Sequence, residues 1–397
     1  MVPLSGLPED RSDGRRAVVV LCRRTPFGRL RGVFSSIEAH HLLAAVLPAA
    51  FHGANLAESD LADVIIGNAT GGGGNVARLA ALTAGLPVKV PGLTIDRQCA
   101  SGLDAISLAC RLVESEAGAW FIAGGVESCS TAPLRAHRLT SLPGAPDFFS
   151  RARFAPETHG DPDAGEAAEN VAVAFGIERG RQDRYALRSY SRAAAAFEAM
   201  AAEVVPVAGC GRDETARHGM SSKLLSRFPP AFTDHGSVTA GNSCADADGA
   251  VVAVVTSLAR ARTAGFNTVL EFHGSASAGG PPALFGTAGA YAVLKLLERL
   301  QLNRNAVSTW EFNEAFAAQV LACTQLIGVA PERFNLHGGA LAYGHPYGAS
   351  GAMLVANLLR QSAMPGGQDY DGGWSVAAVS AAGGVGTAAA FRAVRLQ

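Results

Sequence analysis

Lysine is scarce in this chain. Only Lys89, Lys223 and Lys295 occur, against thirty arginines, and 33 basic residues face 34 acidic ones for a net charge of −1. With no basic excess, nucleic acid is excluded as the expected partner. The arginine preference goes with high alanine and glycine content, and we attach no mechanism to it. Long apolar runs are missing too. None approaches the ~20 residues needed to cross a bilayer, so no membrane partner is expected. Residues 1–16 mix proline, glycine and charges of both signs, without the apolar core of a signal peptide. The seven cysteines form no CxxC pair and no metal-ligand spacing, which excludes a zinc site and a disulfide scaffold. Free thiols suit a reducing cytosol, so a cytoplasmic protein with no metal and no resident cofactor is expected. The run Gly71-Gly72-Gly73-Gly74 lacks the Gly-Lys-Ser/Thr ending of a phosphate-binding loop.

What the chain does have is a βα rhythm. Its 397 residues suffice for two domains or one large duplicated one. Residues 17–21 form a short β-branched run and read as a buried strand. Residues 37–52 carry a helical apolar pattern, and strands follow at 63–67 and 120–125. The last third repeats the plan, with a helix over 284–301, a strand over 307–312, a helix opened by Ser350-Gly351, and a strand over 374–379. A polar residue, Ser-Gly, a helix, an apolar strand and paired glycines recur in that order at 99–125 and 345–384, which reads as an internal duplication. Residues 130–235 break the rhythm with proline-rich loops and a long helix over 181–202. They read as an insertion covering a site. The whole implies a layered α/β fold.

The chemistry starts at Cys99. It lies in Asp96-Arg97-Gln98-Cys99-Ala100-Ser101-Gly102, just before the helical stripe Leu103, Ile106, Cys110 and Val113. A helix start offers unpaired N–H groups and the positive end of a dipole, which favour the thiolate. Cys22, Cys110, Cys129, Cys210 and Cys323 lie in or beside apolar runs and read as structural. His345, held between Gly344 and Pro346, is the candidate base, since an imidazole can take a thiol proton. The remaining histidines (His40, His41, His52, His137, His159, His218, His235, His273 and His337) read as hydrogen-bonding residues. Asn313-Glu314-Ala315-Phe316 and Ser380-Ala381-Ala382-Gly383-Gly384 also sit on turns at strand ends, where open α/β sheets place ligands.

In order along the chain, these segments resemble the thiolase family, acyl-CoA C-acyltransferases that make or split 3-ketoacyl-CoA. The resemblance adds Arg24-Thr25-Pro26-Phe27-Gly28, Gly124-Gly125-Val126-Glu127-Ser128, Ala168-Glu169-Asn170-Val171-Ala172, Thr239-Ala240-Gly241-Asn242 and Asp248-Gly249-Ala250. It implies a five-layered α/β/α/β/α fold of two similar halves: residues 1–130 with 236–267, then 268–397. An insertion, 131–235, would cover the acyl-CoA site. It implies that Cys99 takes the acyl group, that His345 activates it, and that Asn313 holds a water beside an enolate oxygen. The backbone N–H groups of Cys99 and Ala382 would form an oxyanion hole. Arg217 would meet the coenzyme A nucleotide, and Phe232, Ala240 and Phe316 would wall the pantetheine tunnel, with Cys244 in the same acyl-CoA site. Coenzyme A enters as a thioester substrate, and a homodimer or homotetramer is expected, with Gly71 to Gly74 near the dimer interface.

The chain departs from the family pattern at several of these places. Ser380 stands where the family carries a second cysteine, the acid/base for the α-proton of acetyl-CoA, and Ala382 replaces a glycine. An unaided hydroxyl has a pKa nearer water's ~15.7 than a cysteine's ~8.5, which at about 1.36 kcal/mol per unit makes it a far poorer base. Acylation of Cys99 should survive this change, while carbon–carbon chemistry should slow unless another group assists. Cys244 replaces a usual serine, Gly289 a proline, and Asp163-Ala164-Gly165 a His-Met-Gly. Tyr343 and Tyr347 would either narrow the pocket or supply a hydroxyl. Three readings follow. One is a thiolase that tolerates Ser380. Another is a specialised natural-product condensing or acyl-transfer enzyme that needs no second thiol. The third is a non-catalytic acyl-CoA-binding scaffold.

Overall fold

A computed structural model describes residues 12–57, 60–138, 145–217, 219–364 and 372–396. Most of the polar N-terminal stretch, residues 1–11, lies outside the described residues, as does His218. The first half contains β1 (Ala17–Arg24), the two-residue β2 (Gly28–Arg29), α1 (Ala39–Gly53), β3 (Leu61–Gly67), α2 (Val76–Thr83), β4 (Gly92–Ile95), α3 (Ser101–Glu114) and β5 (Trp120–Ser128). A small hairpin of β6 (Arg135–His137) and β7 (Asp147–Phe149) leads to α4 (Ala164–Ala174), α5 (Arg179–Ala201) and α6 (Ser222–Leu225). The chain then returns through β8 (Ala247–Ser257) and α7 (Leu258–Thr263). The second half runs β9 (Thr268–Gly279), α8 (Ala288–Arg299), β10 (Val307–Phe312), α9 (Ala317–Ile327), α10 (Ala340–Tyr343), α11 (Tyr347–Ala363), β11 (Trp374–Ala381) and β12 (Val385–Arg395).

The strands pair in two similar sets. In the first, β1-β8-β5-β3-β4 alternate antiparallel, antiparallel, parallel, parallel. In the second, β9-β12-β11-β10 run antiparallel, antiparallel, parallel. This shared pattern is the duplication seen in the motifs. The sets join edge to edge through Val18↔Glu271 and Val19↔Leu270 of β1 and β9.

Every residue of β5 and of β8 is buried, because both faces are covered. Alternate side chains supply two different cores. Phe121, Ala123, Val251, Ala253 and Val255 face a core that contains α3 and α11, while Trp120, Ile122, Val252 and Val254 face α1 and α2. In the second half, Ala377 and Val379 join the α3/α11 core, while Val376 and Ala378 pack with α8. The order of layers is therefore α1/α2, sheet, α3/α11, sheet, α8/α9, as expected. Helices α4, α5 and α6 pack on α9 and α10 around Val171, Tyr185, Leu225, Leu321 and Leu341.

Two helix limits differ from the sequence reading. The stretch 284–301 is divided, with a tight turn at Pro282–Thr287 whose Leu284 is non-helical (φ −122°, ψ 33°) before α8 begins. Helix α11 starts at Tyr347 rather than at Ser350, directly after Pro346. Proline's fixed φ suits the residue at a helix start.

Candidate active site

Cys99 lies between β4 and α3, in a turn that bonds to itself. Asp96 Oδ1 accepts from Gln98 N at 2.7 Å, and Ser101 Oγ accepts from Arg97 N at 2.7 Å and donates to Gln98 O at 2.6 Å. Gln98 is held at φ 51°, a left-handed conformation that non-glycine residues adopt only when their surroundings enforce it. Cys99 is half-buried and sits two residues before the first residue of α3.

Contrary to the sequence expectation, the helix start does not leave Cys99 a thiolate. Burial pushes its thiol up to about 12, the negative charges of Glu127, Asp246 and Asp96 push the same way, and only its own backbone N–H favours the charged form. The dipole of one helix end is a small effect beside burial among carboxylates. Cys99 therefore rests as a thiol and needs a base.

His345 is the candidate for that base. Its backbone N donates to Ala245 O at 2.8 Å, and the ring is buried. Nδ1 lies 2.5 Å from Ser350 Oγ and Nε2 lies 3.5 Å from Asn313 Nδ2. These contacts assign the proton to Nδ1, donated to Ser350, and leave the Nε2 lone pair on the Asn313 side. Burial lowers the imidazole to about 4, so it is neutral at pH 7. Asn313 follows β10 directly, and its backbone N donates to Ala378 O at 3.0 Å.

The helices that follow Cys99 and His345, α3 and α11, touch backbone to backbone at their N-terminal ends. A Cβ on Gly102 would lie 2.5 Å from Gly348 O, and one on Gly125 would lie 1.9 Å from the same oxygen. Only glycine permits this approach. Glu127 fastens the junction. It is fully buried and accepts from Asn68 Nδ2, Ala69 N, Thr70 N, Thr70 Oγ1 and Gly348 N, the last in the first turn of α11.

Ser380, near the end of β11, is buried and fully engaged. Its hydroxyl donates to Gly286 O at 2.6 Å and accepts from Gly289 N at 2.9 Å, holding the start of α8. Ala382 opens the turn after β11, and Ala381 before it belongs to the apolar cluster against which Cys99 packs. Of the acyl-CoA residues, Phe232 and Phe316 meet edge to face at 5.9 Å. Arg217 donates to Ala240 O at 2.7 Å and to Tyr190 Oη at 3.0 Å. Cys244 N donates to Ala315 O at 2.9 Å, beside Phe316, and the Cys244 thiol is pushed well above its usual range by burial, then by Asp246 and Cys99. A cleft of about 440 Å³, lined by Arg29, Leu30, Thr215, Arg217, Ala245 and Asp246, opens on this side.

Family comparison agrees with this geometry. Residues 17–259 match the model of the thiolase N-terminal domain, and residues 266–393 that of the thiolase C-terminal domain. The chain belongs to the thiolase family. It is an acyltransferase of the thiolase type. Relatives include the proposed acetyl-CoA C-acetyltransferase VraB of Staphylococcus haemolyticus, 40% identical over 95% of this chain and 98% of that one. YhfS of Bacillus subtilis, named for the same proposed activity, is 40% identical over 94% of this chain and 98% of its own. The crystal structure of the Bacillus anthracis acetyl-CoA acetyltransferase superposes with a TM-score of 0.86 at 29% identity, covering 96% of this chain and all of that one. The thiolase family thus accounts for the fold, the duplication and the class of reaction. Among the described residues no helix is long and apolar enough to cross a membrane.

Three site residues gave little signal in the sequence of this thiolase. Ser350 reads there as a helix opener, yet it orients His345. Glu127 reads as one letter of a glycine motif, yet it joins three segments. Asp246 lies between two motif segments and carries no local signature at all.

Proposed function

We propose that Cys99 is the acyl carrier of a two-step transfer. The observation that carries this reading is the meeting of α3 and α11, whose starts follow closely on a thiol, Cys99, and a neutral, oriented imidazole, His345. His345 Nε2 takes the Cys99 proton as the sulfur attacks the thioester carbonyl of an acyl-CoA. The imidazolium returns that proton to the departing coenzyme A thiolate. Backbone N–H groups at Cys99 and Ala382 would receive the carbonyl's developing charge, and donors so placed contribute about 3 kcal/mol each. The acyl group then passes to a carbon acceptor in a Claisen condensation, or to coenzyme A in the reverse thiolysis. Asn313 would stabilise the acceptor's enolate oxygen through the water it holds.

The coenzyme A arm is proposed to lie along Phe232, Phe316, Ala240 and Cys244, with Arg217 toward the nucleotide. The paired phenyl rings supply an apolar wall, and Phe232 remains 42% exposed, open to a ligand. Coenzyme A acts as substrate, with no resident cofactor. We place residues 131–235 over this site, between halves 1–130 with 236–267 and 268–397. A cytoplasmic homodimer or homotetramer completes the proposal.

Intact-mass measurement after exposure to a panel of acyl-CoAs tests the reading. The parent protein should gain one acyl group, and Cys99→Ala should gain none. An adduct that persists in Cys99→Ala overturns it, as does a parent that never acquires one.

A further inference from the structure

A Claisen acceptor must lose an α-proton, and the groups around Cys99 can be taken in turn as its acceptor. Ser380 spends its hydroxyl on Gly286 O and Gly289 N. Glu127 has five donors on its two oxygens. His345, neutral again once coenzyme A has left, has its Nδ1 proton on Ser350 and its Nε2 lone pair facing Asn313 Nδ2 at 3.5 Å. Burial, reinforced by neighbouring charge, keeps Cys129, Cys244 and Tyr347 protonated. Asp246 remains.

We propose that the carboxylate of Asp246, held by Tyr347, takes the α-proton of the acceptor thioester in place of the second thiol that this chain lacks. The proposal rests on acyl transfer at Cys99. Asp246 pairs through its backbone with His345, next to the Ala245 O that receives His345 N. It lines the cleft with Arg217 and Thr215 and is exposed there. Tyr347 Oη donates to Asp246 Oδ1 at 2.6 Å, and the Tyr347 ring stands perpendicular to the His345 ring with centroids 5.2 Å apart. Asp246 Oδ2 has no hydrogen-bond partner among the described residues. The charge of Asp246 also reaches the thiols of both Cys99 and Cys244. The carboxylate is therefore fixed on one oxygen, free on the other, and set beside His345 at the edge of the cleft.

In this step the acceptor's α C–H bond breaks, its proton goes to Asp246 Oδ2, and its electron pair enters the enolate. The enolate carbon forms a C–C bond with the acyl carbonyl on Cys99. The C–S bond to Cys99 then breaks with its electron pair on sulfur, and the proton held by Asp246 passes to that sulfur. The carboxylate and the thiol are both restored, and a 3-ketoacyl-CoA leaves.

Exchange of the α-protons of acetyl-CoA in D₂O reads this step directly. The parent should exchange them. Asp246→Asn should lower the rate about 100-fold or more, the usual worth of a positioned base. Asp246→Glu should recover part of the loss, and Tyr347→Phe should lose less than Asp246→Asn. Acyl-adduct formation at Cys99 in Asp246→Asn serves as the folding control. An Asp246→Asn rate within about threefold of the parent overturns the proposal, and so does a parent that acylates Cys99 without exchanging the α-protons. A parent that exchanges but never acylates would instead overturn the acyl-carrier reading and leave Asp246 supported.

Discussion

At the scale of single residues, the site works by keeping charge off its reactants until substrate arrives. Cys99 rests as a thiol and His345 as a neutral imidazole, both through burial. The second has a consequence for stability. The His345 pKa falls from 6.5 to about 4 on folding. Between those values the unfolded chain binds more protons than the folded one, so stability rises with pH across that window and is lost as pH falls through it. A fall of that size corresponds to roughly 3 kcal/mol. We expect the parent protein to lose more stability between pH 7 and pH 4 than His345→Asn does, measured by denaturant midpoints at each pH. Parallel curves would show that His345 is not buried in the neutral form. Cys99, His345 and Asn313 were legible in the sequence because each sits in a local pattern of glycine, proline or strand end. The state of the Cys99 thiol was not legible, because Glu127 and Asp246, which help to raise it, arrive from other strands and loops. Asp246 itself went unread for the same reason. Its meaning comes from Tyr347 and from Arg29, Leu30, Thr215 and Arg217 across the cleft, none of which is near it in the chain.

At the scale of elements, the decisive contact is between α3 and α11. Helix α3 was legible from its apolar stripe, α11 from its Ser350-Gly351 opening, and strands β1, β3, β5, β10 and β11 from their apolar runs. The closeness of the helix starts was not, since small residues at 102, 125 and 348 have meaning only once the layers stack. The carbonyl of Gly348 faces Gly102 and Gly125 at distances that leave no room for a methyl group. Overpacking of a tight core costs about 1–3 kcal/mol. Gly102→Ala should therefore lower the free energy of unfolding in urea by that amount and slow Cys99 acylation more than tenfold, because the Cys99 loop is displaced with the helix. A variant of parental stability and acylation rate would show that the junction has slack. The turn before α8 escaped the sequence reading because the apolar pattern continues across it, while Leu284 leaves the helical region.

At the scale of the whole molecule, buried ion pairs tie Glu203 and Asp213, between α5 and α6, to α11 and β1. Arg24 of β1 grips Asp213 with two bonds, at 2.7 and 2.9 Å, and Asp213 Oδ1 also accepts from Phe27 N. Arg360 of α11 holds Glu203 from one nitrogen, Nη1 donating to both carboxylate oxygens at 2.8 Å. This explains the arginine in the Arg24-Thr25-Pro26-Phe27 motif, whose purpose the sequence alone left open. Removing one member of a buried pair strands the other, at about 3–5 kcal/mol, whereas replacing both with apolar residues is often neutral. Arg24→Met should lose that much by urea unfolding, and Arg24→Met with Asp213→Leu should regain most of it. A double variant as unstable as the single one would mean that the pair itself is indispensable. The paired halves carry one last implication. The nucleophile's loop precedes α3 in one half, and the base's loop precedes α11 in the other. A lone half holds only one of the two helix starts, so an ancestor of half this length could have run the reaction only with a second copy docked against it. Chemistry of this kind is then no older than the association of two such units, and the fusion made permanent a partnership that catalysis already required.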